Sequence, residues 1–154
     1  MSGRTRAVIF DVDGTLADIT GARHYLTDDV RRKNFQKFHA AASFLPPVWT
    51  VLDCALALQH LGVPLIVVTA RREQWRYRTS TWLRKYGVTP EHLMMRPDRD
   101  DRRDVEVKRD ILARIRTRYE PVLAFDDNPS ITALWVEEGI PCVLVPGWDI
   151  EPAA

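Results

Sequence analysis

The sequence predicts an α/β fold, a central parallel sheet with helices on both faces. Three observations carry that expectation. Short runs of Val, Ile and Leu recur at residues 7–10, 65–68, 122–125 and 142–145. Stretches of helical period lie between them. Gly and Pro mark the junctions. Runs this short and continuously apolar suit strands buried on both faces, the environment of a parallel sheet covered by helices. Strands alternating with helices are the pattern of repeated strand–helix–strand units.

Each element has its own reason. Ala7-Val8-Ile9-Phe10 forms the first strand and runs straight into Asp11. Residues 17–47 then break the rhythm. They are polar, hold no strand run, and carry Arg31-Arg32-Lys33 with Phe35, Phe38 and Phe44. They read as a small helical insertion closed by Pro46-Pro47. A helix over 51–61 follows, with Val51, Leu52, Ala55, Leu58 and Leu61 at helical spacing and Gly62 at its end. After the strand at 65–68 comes a helix over 73–86 that stops at Gly87. A weaker strand lies at 93–95. Val107, Ile111, Leu112 and Ile115 predict a helix over 104–119. Pro129 opens a helix over 129–138 and Gly139 ends it. No internal repeat or long linker appears, so residues 1–154 read as one domain with an insertion at about 17–47.

Composition excludes several classes. The 22 Lys+Arg nearly balance 21 Asp+Glu, a formal charge of +1, which rules out a grossly basic nucleic-acid binder but not a local basic patch. Cys54 and Cys142 are too few and too far apart for a disulfide framework or zinc cluster. They fit two buried thiols in a reducing compartment. No run approaches the roughly 18 apolar residues of a membrane span. The apolar run after the basic N-terminus is too short for a secretory signal. The expectation is a soluble cytoplasmic protein.

The chemistry gathers where strands end. Phe10-Asp11-Val12-Asp13-Gly14-Thr15 leaves the first strand. Open α/β sheets bind ligands at the carboxyl ends of their strands. Two acids there can converge on a metal, and Gly14 allows a tight turn. Thr69, Ala70 and Arg71 end the second long strand. A hydroxyl, following N–H groups and a guanidinium there can hold phosphate oxygens. Lys108 sits on a helix, where a solvated lysine is the ordinary outcome. Asp126 and Asp127 end another strand, and paired acids are costly without a cation between them.

Acid pair, hydroxyl, lysine and acid pair, in that order, resemble the haloacid dehalogenase superfamily of phosphotransferases. The matching residues are Asp11/Asp13, Thr69, Lys108 and Asp126/Asp127. Within it the chain is most similar to the 3′-phosphatase domain of bacteriophage polynucleotide kinase–phosphatase. That similarity also takes in Arg71, Arg78, Trp82, residues 102–108, Trp135, Gly139-Ile140 and Gly147-Trp148-Asp149. No Gly-x-x-x-x-Gly-Lys-Ser/Thr loop is present, so a kinase half is not expected.

The resemblance implies a Rossmann-like three-layer sandwich with a minimal helical cap after the first strand. It implies a phosphomonoesterase with Mg²⁺ as cofactor. Asp11 is then the nucleophile that becomes an aspartyl-phosphate, and Asp13 the general acid–base. Asp11, the Asp13 carbonyl and Asp126 or Asp127 hold the metal. Thr69, Ala70, Arg71 and Lys108 bind phosphate, with Arg78 and Asp104 lining the pocket or bracing its basic groups. The implied substrate is a nucleic-acid 3′-phosphate end, DNA or RNA. Basic residues interleaved with Trp75, Tyr77 and Trp82 over 71–85 suit phosphates and stacked bases, or equally a basic helix with core aromatics. A free nucleotide or other small phosphoester, and a non-catalytic end-binding module, stay open as alternatives. An insertion of about thirty residues leaves the site reachable by a polymer end.

Overall fold

The computed structural model describes residues 3–27 and 34–147. Arg31-Arg32-Lys33, Trp148 and Asp149 lie outside the described residues. Five parallel strands form one sheet: β1 (Thr5–Phe10), β2 (Leu65–Arg72), β3 (His92–Arg96), β4 (Tyr119–Asp126) and β5 (Cys142–Leu144), in the order β3-β2-β1-β4-β5.

Alternation along β1 shows why the sheet is three-layered. Val8 and Phe10 face one core with Leu65 and Val67. That side is covered by α3 (Trp49–His60) and α4 (Arg76–Lys85), through Val51, Leu52, Ala55, Trp82 and Leu83. Ala7 and Ile9 face the other core with Ile66, Val68 and Ala124. α5 (Asp104–Ile115) and α6 (Pro129–Glu137) cover it with Val107, Ile111, Leu112, Ile131 and Trp135. Each fully buried side chain of this size contributes about 1.5–3 kcal/mol. This is the three-layer arrangement around a parallel sheet that the sequence predicts.

Boundaries moved where tertiary contacts decide. The helix read over 104–119 ends at Ile115, because Tyr119 pairs with Thr5 and begins β4. The stretch over 73–86 starts as a 3₁₀ turn, Glu73–Trp75, before α4. The last strand is not buried on both faces. β5 is a sheet edge, and Val143 and Leu144 are 42% and 47% exposed. The two thiols are not both buried either. Cys54 falls on the outer side of α3 and is exposed, while Cys142 on the edge strand is partly buried.

Between β1 and α3 lie a 3₁₀ turn at Thr20–Ala22 and two short helices, α1 (His24–Thr27) and α2 (Phe35–Ala42). Ala22, Phe38, Ala42 and Leu45 give them a small core of their own. The Asn34 side chain caps α2 by accepting from the Lys37 N–H at 3.0 Å. The segment is stitched back by the Asp18 N–H donating to the Pro46 carbonyl at 2.9 Å and Val48 N–H to Leu16 at 2.8 Å. Among the described residues no helix is long and apolar enough to cross a membrane.

Candidate active site

Because all five strands are parallel, their carboxyl ends share one edge, and the polar strand ends meet there. Asp11 follows β1 and its N–H donates to the Phe125 carbonyl of β4 at 3.0 Å. Asp126 ends β4, with Asp127 next. Thr69 lies in β2. Together with Asp13, Ala70, Arg71, Asp104 and Lys108 they line a cleft of about 500 Å³. Arg78 does not line it. Its guanidinium rests over the Trp75 ring at 5.4 Å, on the exposed outer side of α4.

Lys108 is the departure from the ordinary surface lysine, being only 3% exposed. Val107, Ile111 and Leu112 turn this side of α5 onto the sheet and carry Lys108 with them. Its Nζ donates to Asp11 Oδ1 at 3.0 Å and Asp126 Oδ2 at 2.8 Å. Two carboxylates raise its pKa despite burial, so it stays charged. Asp126 Oδ1 accepts from the Asn128 N–H at 3.0 Å.

Asp11 and Asp13 diverge in environment although two residues apart. Burial pushes the Asp11 carboxyl well above its ordinary range, against the pull of Lys108, and the charges of Asp126, Asp127 and Asp13 add to the rise. Burial acts on Asp13 in the same sense, but Arg71 outweighs it and holds that carboxyl low. The Arg71 fork grips Asp13 through Nε at 2.9 Å and Nη2 at 2.6 Å, with Nη1 on the Thr79 hydroxyl at 3.1 Å. The guanidinium is thus engaged with Asp13 and Thr79. It points inward with the alternation of β2, in which Thr69 and Arg71 are buried while Ala70 and Arg72 are partly exposed.

Gly14 has φ +82°, and a Cβ there would lie 2.0 Å from Asp127 Oδ2. The turn therefore requires glycine twice over, for its backbone and for the approach of the acid. The Thr15 hydroxyl stands between Asp11 Oδ2, at 3.3 Å, and Asp127 Oδ1, at 3.2 Å.

Oxygen atoms of Asp11, Asp126 and Asp127 lie within 4.8 Å of one another, all buried. Burial and Asp126 raise Asp127 to about 6. An all-carboxylate set whose members resist sharing charge suits a hard divalent cation such as Mg²⁺. The carboxylate of Asp13 is not in this set and turns to Arg71.

Three residues escaped the sequence reading. Arg96, buried at the end of β3, donates to the Ala70 carbonyl at 3.1 Å, to the Asp100 and Arg102 carbonyls, and to Asp104. Its place at the end of a strand, as the last residue of β3 and paired with Arg72 of β2, was the available signal. Thr15 lay inside the Asp-x-Asp-Gly-Thr string without a role. His39 gave no signal, since nothing local places a lone histidine of the insertion in the cleft beside Trp75. Conversely, Trp82 is core and donates to the Leu45 carbonyl at 2.9 Å, and Tyr77 is 81% exposed off the cleft. Of the three aromatics read over 71–85, Trp75 alone lines it.

The basic balance is local pairing. Arg71, Arg72, Arg96 and Arg102 all reach the cleft, and each is ion-paired with an aspartate.

Comparison with known proteins agrees with this geometry. The family model described as polynucleotide kinase PNKP phosphatase domain matches residues 5–148. A protein of Autographa californica nuclear polyhedrosis virus, assigned by inference as a bifunctional polynucleotide kinase/RNA ligase, is 28% identical over 141 residues, 90% of this chain and 19% of its own length. A chain of the Pnkp1/Rnl/Hen1 RNA repair complex is 26% identical with a TM-score of 0.81, over 97% of this chain and 45% of that one. The class C acid phosphatase from Bacillus anthracis with tungstate bound shares the fold at 14% identity and a TM-score of 0.68, over 94% of this chain and 68% of that one. The chain thus spans about a fifth of the viral relative and under half of the repair-complex chain.

Proposed function

The chain belongs to the polynucleotide kinase PNKP phosphatase domain family and is a phosphomonoesterase of the haloacid dehalogenase type, and from that premise we propose that it removes 3′-phosphates from polynucleotide ends through an aspartyl-phosphate on Asp11. One observation carries the mechanism. Asp11, Asp13, Thr69, Lys108, Asp126 and Asp127 come from the ends of β1, β2 and β4 and from α5, and line one cleft.

Asp11 Oδ attacks phosphorus and the bond from phosphorus to the 3′-oxygen breaks. Asp13 gives its proton to that leaving oxygen. Asp13 then takes a proton from a water, whose oxygen attacks the aspartyl-phosphate, freeing inorganic phosphate and restoring Asp11. Arg71 holds Asp13 ionised without substrate, so the pair must loosen and Asp13 take up a proton from solvent before it protonates the leaving oxygen; the proton later taken from the attacking water restores it for the next turnover. Thr69, the Ala70 N–H and Lys108 hold the phosphoryl oxygens, where transition-state charge is spread. Arg96 grips the Ala70 carbonyl and so orients the peptide that carries the Arg71 N–H, which donates to the Thr69 hydroxyl at 3.2 Å. Asp11, Asp126 or Asp127 and the Asp13 carbonyl would hold Mg²⁺, which supplies charge neutralisation between anionic nucleophile and anionic phosphate.

The polymer reading is supported by the family and by the small insertion over the cleft, which the structure builds from two short helices. Its relatives in an RNA repair complex and a polynucleotide kinase/RNA ligase make RNA ends, and partners of that repair class, the first to test. The test is phosphate release with and without Mg²⁺ from 3′- and 5′-phosphorylated RNA and DNA oligonucleotides and from 3′-mononucleotides. The expected order places 3′-phosphorylated oligonucleotides first, and Asp11→Asn abolishes release while the protein stays folded. A preference for mononucleotides overturns the polymer reading. Near-normal turnover by Asp11→Asn overturns the nucleophile.

A further inference from the structure

The cleft has an aromatic side that the phosphate chemistry does not use. Phe35, Phe38 and His39 from α2 and Trp75 from the turn before α4 all line it. Their rings form a continuous wall. His39 lies 5.2 Å from Trp75 and 6.4 Å from Phe35, with the Phe35 and His39 planes only 23° apart. Phe38 closes the back edge-on to His39 at 5.2 Å and is buried, while Phe35 remains 55% exposed.

The wall is held in place before anything binds. The Gln74 N–H donates to Asp98 Oδ1 at 2.8 Å, pinning the turn that carries Trp75. Arg78 covers the indole at 5.4 Å. His39 Nδ1 is buried without a hydrogen-bond partner among the described residues. The Gln36 and Gln74 side chains line the same cleft.

Its position relative to the reacting groups decides what it can meet. A phosphate attacked by Asp11 must present its leaving oxygen to Asp13, so the leaving alcohol lies on the Asp13 side. Arg71, which grips Asp13, leads through Arg72 into the turn that carries Trp75, and His39 lies 5.2 Å from that indole, so the rings and Asp13 face the same cleft. The group beyond the leaving oxygen is therefore directed at the rings. Flat aromatic surface beside amides and arginines is the chemistry that holds a nucleobase.

Resting on the phosphatase reading above, we propose that Phe35, His39 and Trp75 form the stacking site for the base of the 3′-terminal nucleotide. The wall makes the enzyme select a base-bearing end over a base-free phosphomonoester. Phe35, with its open ring face, is the residue that sets this selection.

The experiment compares kcat/KM for a 3′-phosphorylated oligonucleotide, the same oligonucleotide ending in a tetrahydrofuran abasic residue, and glycerol 2-phosphate. The wild-type enzyme is expected to favour the intact end over the abasic end by about 5- to 150-fold, the range for one stacked base. Phe35→Ala brings that ratio towards one and Phe35→Tyr restores it. A wild-type ratio near one, or a full ratio in Phe35→Ala, overturns the proposal while the phosphatase reading stands. Release from none of the three substrates overturns the phosphatase reading instead. Fluorescence anisotropy with the two oligonucleotides then decides the wall alone: tighter binding of the intact end supports it, and equal Kd overturns it.

Discussion

Replacing Lys108 with methionine tests the electrostatics of the cleft most directly. The side chain keeps its length and packing beside Val107 and Ile111 but loses its charge. In the native structure its Nζ supplies two charge-assisted hydrogen bonds, at 3.0 Å to Asp11 and 2.8 Å to Asp126. Removing one partner of a buried ion pair typically costs about 3–5 kcal/mol, because the remaining charges stay buried. Asp11 relieves part of this by taking up a proton, since burial already raises its pKa. The expected loss for metal-free Lys108→Met is therefore about 2–4 kcal/mol, or about 5–15 °C in Tm for a chain of this size. Urea denaturation in chelator at pH 7.5 reads it. Adding Mg²⁺ should stabilise Lys108→Met more than wild type, because the metal then neutralises three acids unaided. The double variant Lys108→Met/Asp126→Asn should recover most of the loss, since the cost belongs to the pair. Equal urea midpoints for wild type and Lys108→Met, with unchanged m, would refute the view that this lysine compensates the buried acids.

Two further outcomes follow from single positions. Gly14→Ala places a Cβ 2.0 Å from Asp127 Oδ2 at φ +82°, forcing the acid to move by more than about 1 Å. A displacement of that size costs about 100-fold in turnover, with about 1–2 kcal/mol of stability lost to the left-handed backbone; Mg²⁺-dependent phosphate release and thermal unfolding measure the two effects. His39 is depressed to about 4 from 6.5 by burial, although the Asp13 charge opposes this. Between those values the unfolded chain binds the proton and the folded one does not, so this group's stabilisation is present above pH 6.5 and is lost as pH falls towards 4. Asp11 and Asp127, held high, act in the opposite sense, so the measure is the difference between wild type and His39→Phe in urea titrations across pH 4–7. The difference should reach about 1–3 kcal/mol at the acid end, and a pH-independent difference would exclude the imidazole as its source.

Much of this molecule was legible locally. The β1, β2 and β4 runs are apolar enough to be read without knowing their neighbours, and parallel packing between helices follows from that. The four acids and Thr69 were legible because they follow those runs directly. What could not be read was anything set by a second element. Tyr119 joins β4 because Thr5 lies beside it, and no periodicity in 104–119 marks that switch. Val143 and Leu144 look like core from composition and are exposed because β5 has a neighbour on one side only.

The site divides along the same line. Chain order determined which groups are available: acids after β1 and β4, a hydroxyl in β2, a lysine one turn into α5. Tertiary structure alone decided their states. Lys108 is buried between two acids because α5 turns that face to the sheet, whereas a helix read by itself places it in water. Arg71 is bound to Asp13 because β2 lies beside β1 and brings its end to the turn that follows Phe10. His39 meets Trp75 because the insertion folds back over the strand ends. Each depends on a distance between residues far apart in sequence, and burial and charge, which set pKa and strength, exist only once those distances do.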